Sequence, residues 1–369
     1  MDIIPLKSWF EGSDAFPFII AGPCSAESEE QVMSTASFVA STGRVSLFRA
    51  GAWKPRTRPG TFTGAGHRAL HWLERVREEL KIRVVVEVAY PSHVEACLKH
   101  GIDAFWIGAR TVSNPFSVEE ISSALRGVEV PVLIKNPLSP DIDLWQGAVE
   151  RVYSAGVRRI AAVHRGFSPF ERTLYRNMPK WEIPIELRQR ITNLPVICDP
   201  SHISGKAEYV PEIAQRALDL TMSGLMIEVH SNPSGALSDA TQQLTFEQFN
   251  SLISGLIIRK SVIDDIGFLN QLEELRNQID SIDYQLVDLL SSRMKVSEKM
   301  GEYKFKNNVA VLQMERWLEI LRTRGEHGSL KGLDPAFVEK VLTVLHQESI
   351  RIQTSILNNL RSNGEHWSE

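Results

Sequence analysis

Short apolar runs rich in β-branched residues alternate with longer amphipathic stretches from Phe16 to about Ile263. This alternation predicts repeated βα units around a parallel sheet. The apolar runs predict strands at Phe18–Ala21, Val45–Ala50, Arg83–Val88, Ala104–Ile107, Val130–Ile134, Arg159–Val163, Pro195–Cys198 and Gly224–Val229. Predicted helices between the strands include Glu29–Ala40, His67–Leu80 and Thr245–Arg259. Eight units in about 250 residues favour an α/β fold, a closed (β/α)8 TIM barrel, with an open, doubly wound sheet as the alternative.

After Ile263 the pattern changes, because glycine and proline become rarer and apolar residues recur at steps of three and four. A single apolar stripe predicts a long helix from about Asp265 to Phe305; it comprises Leu272, Leu275, Ile279, Ile282, Leu286, Leu289, Val296 and Met300. Two further helices are predicted near Gln313–Arg324 and Pro335–Leu360, with Asp334 as the N-cap of the latter. We therefore divide the chain into a barrel domain, residues 1–263, and a small all-α, three-helix domain, residues 264–369.

Composition narrows the classes of partner. The 369 residues include 41 Lys+Arg and 45 Asp+Glu, for a formal net charge of -4, so no basic excess attracts nucleic acid or acidic lipid. Three scattered cysteines indicate a reducing compartment, and neither a signal peptide nor an uninterrupted apolar stretch of about 20 residues is evident. We expect a cytoplasmic protein with small-molecule partners, no nucleic acid and no membrane.

Potential metal ligands follow three of the predicted strands, at the end of a barrel where active sites form. Cys24 follows strand one, His202 follows strand seven, and Glu228 and Asp239 accompany strand eight. These strands are neighbours if the barrel is closed. A thiolate, an imidazole and two carboxylates suit a divalent ion of the Mn, Fe, Co or Zn class better than Mg²⁺ alone. Such an ion would polarise a carbonyl group as a Lewis acid.

A second set of residues at the strand ends is cationic and comprises Arg49, Lys54, Arg56, Arg110, Lys135 and Arg165. Cations that face one cavity need anions to offset their repulsion, and guanidinium groups match phosphate and carboxylate oxygens. The expected substrates are therefore two small phosphorylated anions. Taken singly, Cys24 is explained as a small buried apolar side chain and Glu87 as a helix-cap partner. Functional groups at all eight predicted strand ends nevertheless favour a site.

Several motifs at these strand ends occur together: GPCS at 22–25, KPRT at 54–57, IGAR at 107–110, IKNP at 134–137, HRGF at 164–167, DPSH at 199–202 and IEVH at 227–230. In combination they resemble the metal-dependent 3-deoxy-D-arabino-heptulosonate 7-phosphate (DAHP) synthases of the compact microbial type, over roughly residues 16–263. The resemblance implies an aldol-like condensation of phosphoenolpyruvate with erythrose 4-phosphate that releases phosphate, as the entry step of aromatic biosynthesis.

The same resemblance implies roles for individual residues. The metal would be held by Cys24, His202, Glu228 and Asp239. The phosphate of phosphoenolpyruvate would be bound by Arg110, Arg165 and the Ala109 amide, and its carboxylate would face Arg49, Lys54 and Lys135. Erythrose 4-phosphate would be bound by Arg56 and Thr57. We place Lys54 among the catalytic residues and Glu87 among those that bind substrate.

A sister family on the same scaffold provides an alternative function. The 3-deoxy-manno-octulosonate 8-phosphate synthases join phosphoenolpyruvate to arabinose 5-phosphate, and they normally carry an Asn-Arg-containing motif where this chain has KPRT. Under this alternative, the helical domain would be a dimerisation module.

The long predicted helix carries two cations on one face. Arg293 falls where the apolar stripe calls for leucine, and Lys304 lies eleven residues later, close to three turns. Pairing with Glu298 or Glu315 would explain buried cations, and so would an anionic ligand. The set Arg276, Arg293, Lys304, Arg316, Ser349 and Gln353 resembles, in every interval, the all-helical chorismate mutases over about residues 265–360.

This second resemblance implies that Arg276, Arg293 and Arg316 bind the carboxylates and hydroxyl-bearing groups of chorismate, and that Ser349 contributes to binding. It also implies that Lys304 and Gln353 address the ether oxygen, with Arg293, Lys304 and Gln353 as the catalytic groups. The chain departs from the family at Gln313 and Trp317, which stand where acidic residues commonly meet the substrate hydroxyl.

The spacing of two arginines predicts an oligomer. Arg276 and Arg293 are seventeen residues apart on one predicted helix, so roughly 25 Å separates them, and one chorismate cannot bridge them. Arg276 should therefore come from a second chain, in a homodimer formed through the helical domain. The complete prediction is a bifunctional synthase and mutase whose helical domain mediates feedback inhibition; the alternative is a synthase whose helical domain is only a ligand sensor.

Overall fold

The computed structural model describes residues 1–12, 15–54, 60–170, 173–259 and 266–362. The chain divides into two compact units, Met1–Ser261 and Val262–Glu369, and each is described by itself. Among the described residues, no helix combines the length and apolar character needed to cross a membrane.

Parallel strands in the described part of the first unit close into an eight-stranded barrel in the order of the chain. The strands are β1 Phe18–Gly22, β2 Leu47–Arg49, β3 Val84–Val88, β4 Ala104–Ile107, β5 Val132–Lys135, β6 Ile160–His164, β7 Val196–Cys198 and β8 Gly224–Glu228. Closure occurs at β1, where Ile20 lies opposite Leu47 of β2 on one side and opposite Met226 of β8 on the other. The predicted TIM barrel is confirmed, and the open-sheet alternative is wrong.

Helices surround the barrel and alternate with its strands. They are α1 Glu29–Ser41, α2 His67–Leu80, α3 Pro91–Lys99, α4 Ala109–Val112, α5 Pro115–Ala124, α6 Ile142–Ser154, α7 Glu182–Arg190, α8 Pro200–Ser204, α9 Val210–Asp219 and α10 Phe246–Gly255. Helix α10 is shorter than predicted, because it ends at a glycine and the backbone becomes extended at Leu256.

Side-chain oxygens at the helix starts satisfy backbone N–H groups that have no partner within the helix. Ser28 caps α1 by accepting from Gln31 N, and Asp141 caps α6 by accepting from Leu144 N. At α10, Thr245 and Gln248 form a reciprocal capping box. These local signals fix where α1, α6 and α10 begin.

Two apolar cores hold the barrel together. The larger one lies between the strands and the surrounding helices. The smaller one fills the barrel interior and includes Phe18, Trp106 and Met226. The N-terminal segment extends this interior core with Leu6 and Trp9, and the Trp9 ring packs edge-on against Phe18 at 6.0 Å between centroids. Side chains thus fill the interior of the barrel, starting at the N-terminal ends of the strands.

The described part of the second unit contains three helices, α11 Ile266–Lys306, α12 Met314–Leu330 and α13 Pro335–Ser362. They confirm the three predicted helices. Asp334 caps α13, as predicted, because its Oδ1 accepts from Ala336 N at 2.7 Å. Helices α11 and α13 approach closely at Gly301, where an added Cβ would lie 3.2 Å from Gln353 Cα.

The apolar stripe predicted on the long helix is open to solvent in the single chain. Leu275, Ile279, Ile282, Leu286 and Leu289 are each more than half exposed on α11. A continuous row of large apolar side chains is rarely left in water on a soluble protein.

Candidate active sites

The carboxyl ends of β1 and β8 bring together an acidic cluster. One ligand atom each from Cys24, Glu228 and Asp239 lies within 4.8 Å of the others. Cys24 Sγ donates to Asp239 Oδ2 at 3.2 Å, although 215 residues separate the two in sequence. The ammonium group of Lys54 donates to Cys24 Sγ at 2.7 Å. The cluster therefore already holds one positive charge, supplied by lysine.

Glu228 is fully buried and only partly satisfied. Its Oε2 accepts from Gln242 Nε2 at 2.7 Å. Its Oε1 lies 3.0 Å from Arg49 Nη2 and 3.8 Å from His202 Nδ1, but it accepts no hydrogen bond of good geometry from the described residues. This oxygen is a buried acceptor that remains available to a cation.

Burial and charge set the protonation states of this cluster. Burial, reinforced by Glu228, raises the pKa of the Cys24 thiol far above its usual range. Burial would also raise the pKa of Glu228, but His202, Arg49 and Lys54 hold it below its usual value. Burial lowers the pKa of His202 despite the opposing effect of Asp199. Cys24 is therefore a thiol, Glu228 is a carboxylate, and the nearby His202 is a neutral imidazole.

Asp199 fixes two of the predicted site residues. It is fully buried, and its Oδ2 lies 2.8 Å from Lys135 Nζ and 2.8 Å from His202 Nδ1. Its Oδ1 accepts from His202 N at 3.1 Å and so caps α8. Burial would raise its pKa, but His202 and Lys135 hold it well below 3.8. Asp199 belongs to the DPSH motif and follows β7, yet sequence analysis assigned it no role.

A buried arginine, Arg165, lies near Arg176 and Arg110 at a second position. Arg165 is 7% exposed, and its Nη1 donates to Asn177 Oδ1 at 2.8 Å. Burial, together with the nearby guanidinium groups of Arg176 and Arg110, lowers the pKa of Arg165 to about 10. A bound anion would relieve both effects, since it would offset the repulsion and pair with the buried charge.

Arg49 also has unused donors. It is 1% exposed, and its guanidinium lies over the Trp106 ring at 5.1 Å from the centroid. Its Nε and Nη1 find no acceptor in the described part of the chain. Buried donors without partners are costly, so they mark a place where a ligand with acceptor oxygens would fit.

Glu87 and Gly108 are in direct contact at the ends of β3 and β4. A Cβ added at Gly108 would lie 2.0 Å from Glu87 Oε1. The Glu87 carboxylate therefore occupies the space that the side chain of any other residue at position 108 would need. Of the other predicted site residues, Ala109 begins α4 and Arg110 is exposed within it. Arg56 and Thr57 lie outside the described residues.

The loop after β8 is held in place by residues that the sequence did not single out. Arg176 Nη1 donates to Asp239 Oδ1 at 3.0 Å and to Gln242 Oε1 at 2.7 Å. Gln243 Oε1 accepts from Cys24 N at 3.0 Å. Asp239 itself has a φ of 46°, in the left-handed region. These bonds hold the strained Asp239 beside Cys24. Arg176 lies between β6 and α7, away from any strand end, so its sequence position gave no signal.

A separate polar site lies between α11 and α13 of the helical unit. Arg293 Nη1 donates to Leu345 O at 3.1 Å and to Ser349 Oγ at 2.5 Å. Lys304 Nζ donates to Val311 O at 2.5 Å, and burial lowers the pKa of its ammonium group. Gln353 is 5% exposed, and its Oε1 has no donor among the described residues. Among the described residues, neither Glu298 nor Glu315 forms an ion pair with Arg293 or Lys304.

Two other predicted residues lie on exposed helix faces of the same unit. Arg276 pairs with Glu273 of its own helix at 3.5 Å, and Arg316 pairs with Glu319 at 2.6 Å. Trp317 stacks on His346 at 4.0 Å between ring centroids. Burial and the charges of Arg293 and Lys304 lower the pKa of His346, so Trp317 covers a neutral imidazole beside the cations. Gln313 is exposed at the N-cap of α12.

A closed βα barrel with a buried acid and thiol cluster next to buried cations defines a TIM-barrel enzyme that acts on small anions. Residues 3–259 match the family model of the DAHP synthetase I family, and residues 275–354 match that of chorismate mutase type II. The chain belongs to the DAHP synthetase I family, and it is an enzyme in which a type II chorismate mutase domain is fused to the synthase.

The relatives at 32% identity agree with this assignment, and a weaker match falls in the sister family. A phospho-2-dehydro-3-deoxyheptonate aldolase of Thermotoga maritima is 32% identical over 249 residues, which cover 68% of this chain and 70% of the relative. A crystal structure of phospho-2-dehydro-3-deoxyheptonate aldolase (DAHP synthase) from the same organism has a TM-score of 0.57 and 32% identity, and the match covers 64% of this chain and 67% of that one. A 2-dehydro-3-deoxyphosphooctonate aldolase of Desulfosudis oleivorans is 28% identical, covering 72% of this chain and 99% of the relative.

Proposed function

We propose that the barrel joins phosphoenolpyruvate to erythrose 4-phosphate and, with one water, yields DAHP and phosphate. The observation that carries this proposal is a pair of buried guanidinium groups at the same end of the barrel as the acidic cluster. Arg49 has donors without acceptors among the described residues, and burial and neighbouring arginines lower the pKa of Arg165. Phosphoenolpyruvate carries both a phosphate and a carboxylate, and each guanidinium offers a forked donor to one of them.

The donor set fits a divalent ion. The thiol of Cys24, the unsatisfied Oε1 of Glu228 and the carboxylate of Asp239 converge, while the neutral imidazole of His202 approaches Glu228. We propose these four residues as the ligands of an ion of the Mn, Fe, Co or Zn class. When bound, such an ion supplies Lewis-acid polarisation of the aldehyde of erythrose 4-phosphate.

The remaining residues of the barrel site orient the two substrates. Arg165, with Arg110 and the Ala109 amide, takes the phosphate of phosphoenolpyruvate, while Arg49, Lys135 and Lys54 meet its carboxylate. Lys135 is held in position by Asp199. We place Arg56 and Thr57 at the phosphate of erythrose 4-phosphate and Glu87 at its sugar end.

Substrate choice tests the first reaction. The purified chain should release phosphate from phosphoenolpyruvate when it is supplied with erythrose 4-phosphate and should be far slower with arabinose 5-phosphate, because KPRT follows β2. Preference for arabinose 5-phosphate would assign the barrel to octulosonate synthesis instead.

We propose that the helical domain converts chorismate to prephenate. This rearrangement needs no acid, base or nucleophile, so clamped carboxylates and donors to the ether oxygen suffice. Arg293 and Ser349 form one part of the clamp, Lys304 and Gln353 face the ether oxygen, and Arg316 adds a second carboxylate contact. Loss of chorismate absorbance on addition of the purified chain tests the reaction; binding of chorismate without turnover would favour a sensor.

We also propose that the chain is a homodimer through α11. The exposed apolar stripe of that helix supports this proposal, because a second copy would cover it. In such a dimer Arg276 completes the site of the partner subunit. Sedimentation should show a dimer. Because apolar contacts along this stripe would hold the dimer together, Ile282→Asp should dissociate it.

We propose domain boundaries at 263 and 264, a cytoplasmic location, and feedback inhibition of the synthase by prephenate or chorismate bound to the helical domain. Coupling between two such sites typically amounts to about 1–3 kcal/mol. A chain that ends at 263 should be a synthase without this inhibition. A truncated synthase that still responds to prephenate would refute the regulatory proposal.

A further inference from the structure

A group of metal-binding side chains lies on the outer wall of the barrel, on helices rather than at the strand ends. It consists of His71 and Glu74 on α2 and of His100 directly after α3. One ligand atom from each lies within 4.8 Å of the others. The group shares no residue with the acidic cluster around Cys24, and the proposed reactions do not use it.

The distances approach those of a coordination site. Glu74 Oε2 lies 2.9 Å from His100 Nδ1 and 3.9 Å from His71 Nδ1. Bonds of about 2.0–2.1 Å in a tetrahedral site place neighbouring ligand atoms roughly 3.3 Å apart. The two observed distances bracket that value, so small side-chain rotations would bring all three atoms to one ion.

The surrounding structure positions these side chains before any ion binds. Arg77 Nη1 donates to Gly101 O at 2.8 Å and so fixes the turn that follows His100. That turn needs glycine, because Gly101 has a φ of 62° and the Arg77 guanidinium fills the space of a Cβ. His71 and Glu74 are three residues apart on α2 and therefore share a face.

We propose that His71, Glu74 and His100 bind one divalent transition-metal ion, of the Zn²⁺ class, which ties the end of α3 to the middle of α2. A set of two imidazoles and one carboxylate suits such ions better than it suits Mg²⁺ or Ca²⁺. The His71 side chain is 68% exposed, so water completes the coordination shell. The ion stabilises the barrel wall and takes no part in the chemistry at the strand ends.

The charge of Arg77 bears on the affinity. Its guanidinium is close enough to Glu74 to help lower the pKa of that carboxylate, after the larger effect of the His100 hydrogen bond. A neighbouring cation also opposes the approach of a metal ion. This site should therefore be weaker than the buried one, and the two should separate in a titration.

The test is Zn²⁺ binding to the untagged full-length chain, measured by titration against a chromophoric chelator. The wild type should bind two equivalents, and His100→Asn and Glu74→Gln should each bind one. Cys24→Ser should also bind one, because it removes the buried site alone. His67→Asn is the matched control: it removes a histidine from the same helix outside the group, and it should still bind two.

Stability provides a second readout. In the Cys24→Ser background, Zn²⁺ at about 100 times its dissociation constant should raise the Tm of the barrel by roughly 5–10 °C, and adding His100→Asn should abolish that rise. Metal-free Tm values show whether His100→Asn itself unfolds the protein, in which case Glu74→Gln decides.

The proposal is overturned if Glu74→Gln and His100→Asn both still bind two equivalents of Zn²⁺. It is also overturned if the wild type binds one equivalent and Cys24→Ser binds none. The wild type could instead bind a single equivalent of Zn²⁺ that is kept in Cys24→Ser and lost in His100→Asn. That result would support the site formed by His71, Glu74 and His100, and it would refute the metal assignment at the strand ends.

Discussion

The distance between two arginines on one helix predicts how a mutase site is assembled. Helix α11 runs without interruption from Ile266 to Lys306. Arg276 and Arg293 are seventeen positions apart on it, so roughly 25 Å separates them at 1.5 Å per residue. Arg293 is anchored to Ser349 of its own chain. A chorismate bound there cannot reach Arg276 of the same chain, so under the proposed function we expect that arginine to serve the site of a partner subunit.

Complementation between two inactive variants tests this geometry. Arg276→Ala and Arg316→Ala should each abolish mutase activity alone. Random pairing of equal amounts places half of the dimers in the mixed class, and each mixed dimer contains one site with both arginines intact. Unfolding and refolding the mixture should therefore restore roughly a quarter of the wild-type sites.

The assay is chorismate consumption by the refolded mixture, with each variant refolded alone as control. Synthase activity of the same samples reports correct refolding, since neither arginine belongs to the barrel. Recovery requires mixed dimers, which differently tagged subunits reveal. Mixed dimers without any mutase activity would show that each site is built from a single chain.

Three further predictions concern the barrel. Chelation, or Cys24→Ala, should abolish condensation and leave chorismate turnover nearly intact, because the proposed condensation depends on the ion at Cys24 and the proposed mutase reaction uses no metal; parallel loss of both activities in paired assays would contradict this. Gly108→Ala should lower synthase kcat/KM by roughly 10- to 100-fold, because the added methyl group displaces Glu87. In a Glu87→Ala background the same substitution should lower kcat/KM little further, and additive losses in the double variant would refute the steric cause. Asp199→Asn should lower the unfolding free energy by about 3–5 kcal/mol, since it leaves the Lys135 ammonium unpaired. Because the pKa of Asp199 is depressed in the folded state, this difference between wild type and variant in denaturant unfolding should be full above about pH 5 and shrink only in stronger acid; an unchanged difference in strong acid would contradict it.

Much of the barrel was predictable because its strands are almost entirely buried. A parallel strand covered on both faces is a near-continuous apolar run, and Phe18–Gly22 and Ile160–His164 are buried at every position. Only the ends of the runs were misjudged, by at most two residues. The predicted metal ligands Cys24, Glu228 and Asp239 converge because barrel closure pairs the strand that opens the chain with the one that ends the barrel.

The supporting residues could not be predicted in the same way. Arg176 reaches Asp239 across 63 residues, from a segment with neither strand nor helix periodicity. Asp199 was visible in a motif, but its bond to Lys135 joins residues 64 apart and depends on the register of β5 and β7. Such partners follow from the three-dimensional path of the chain, which local patterns do not encode. The exposure of Leu275 and Ile279 is likewise a property of the single subunit that a helical stripe cannot reveal.

The plugged floor of the barrel has a kinetic consequence. Leu6, Trp9 and Phe18 fill the interior at the N-terminal end, so the reaction chamber opens at one mouth. Both substrates must enter, and both products must leave, through that same opening. The molecule that sits deepest must arrive first and cannot depart while a later arrival still blocks its way. If phosphoenolpyruvate lies at the buried guanidinium groups, its exchange with bulk solution should be slowed by bound sugar phosphate, and turnover should follow a compulsory sequence of arrivals and departures.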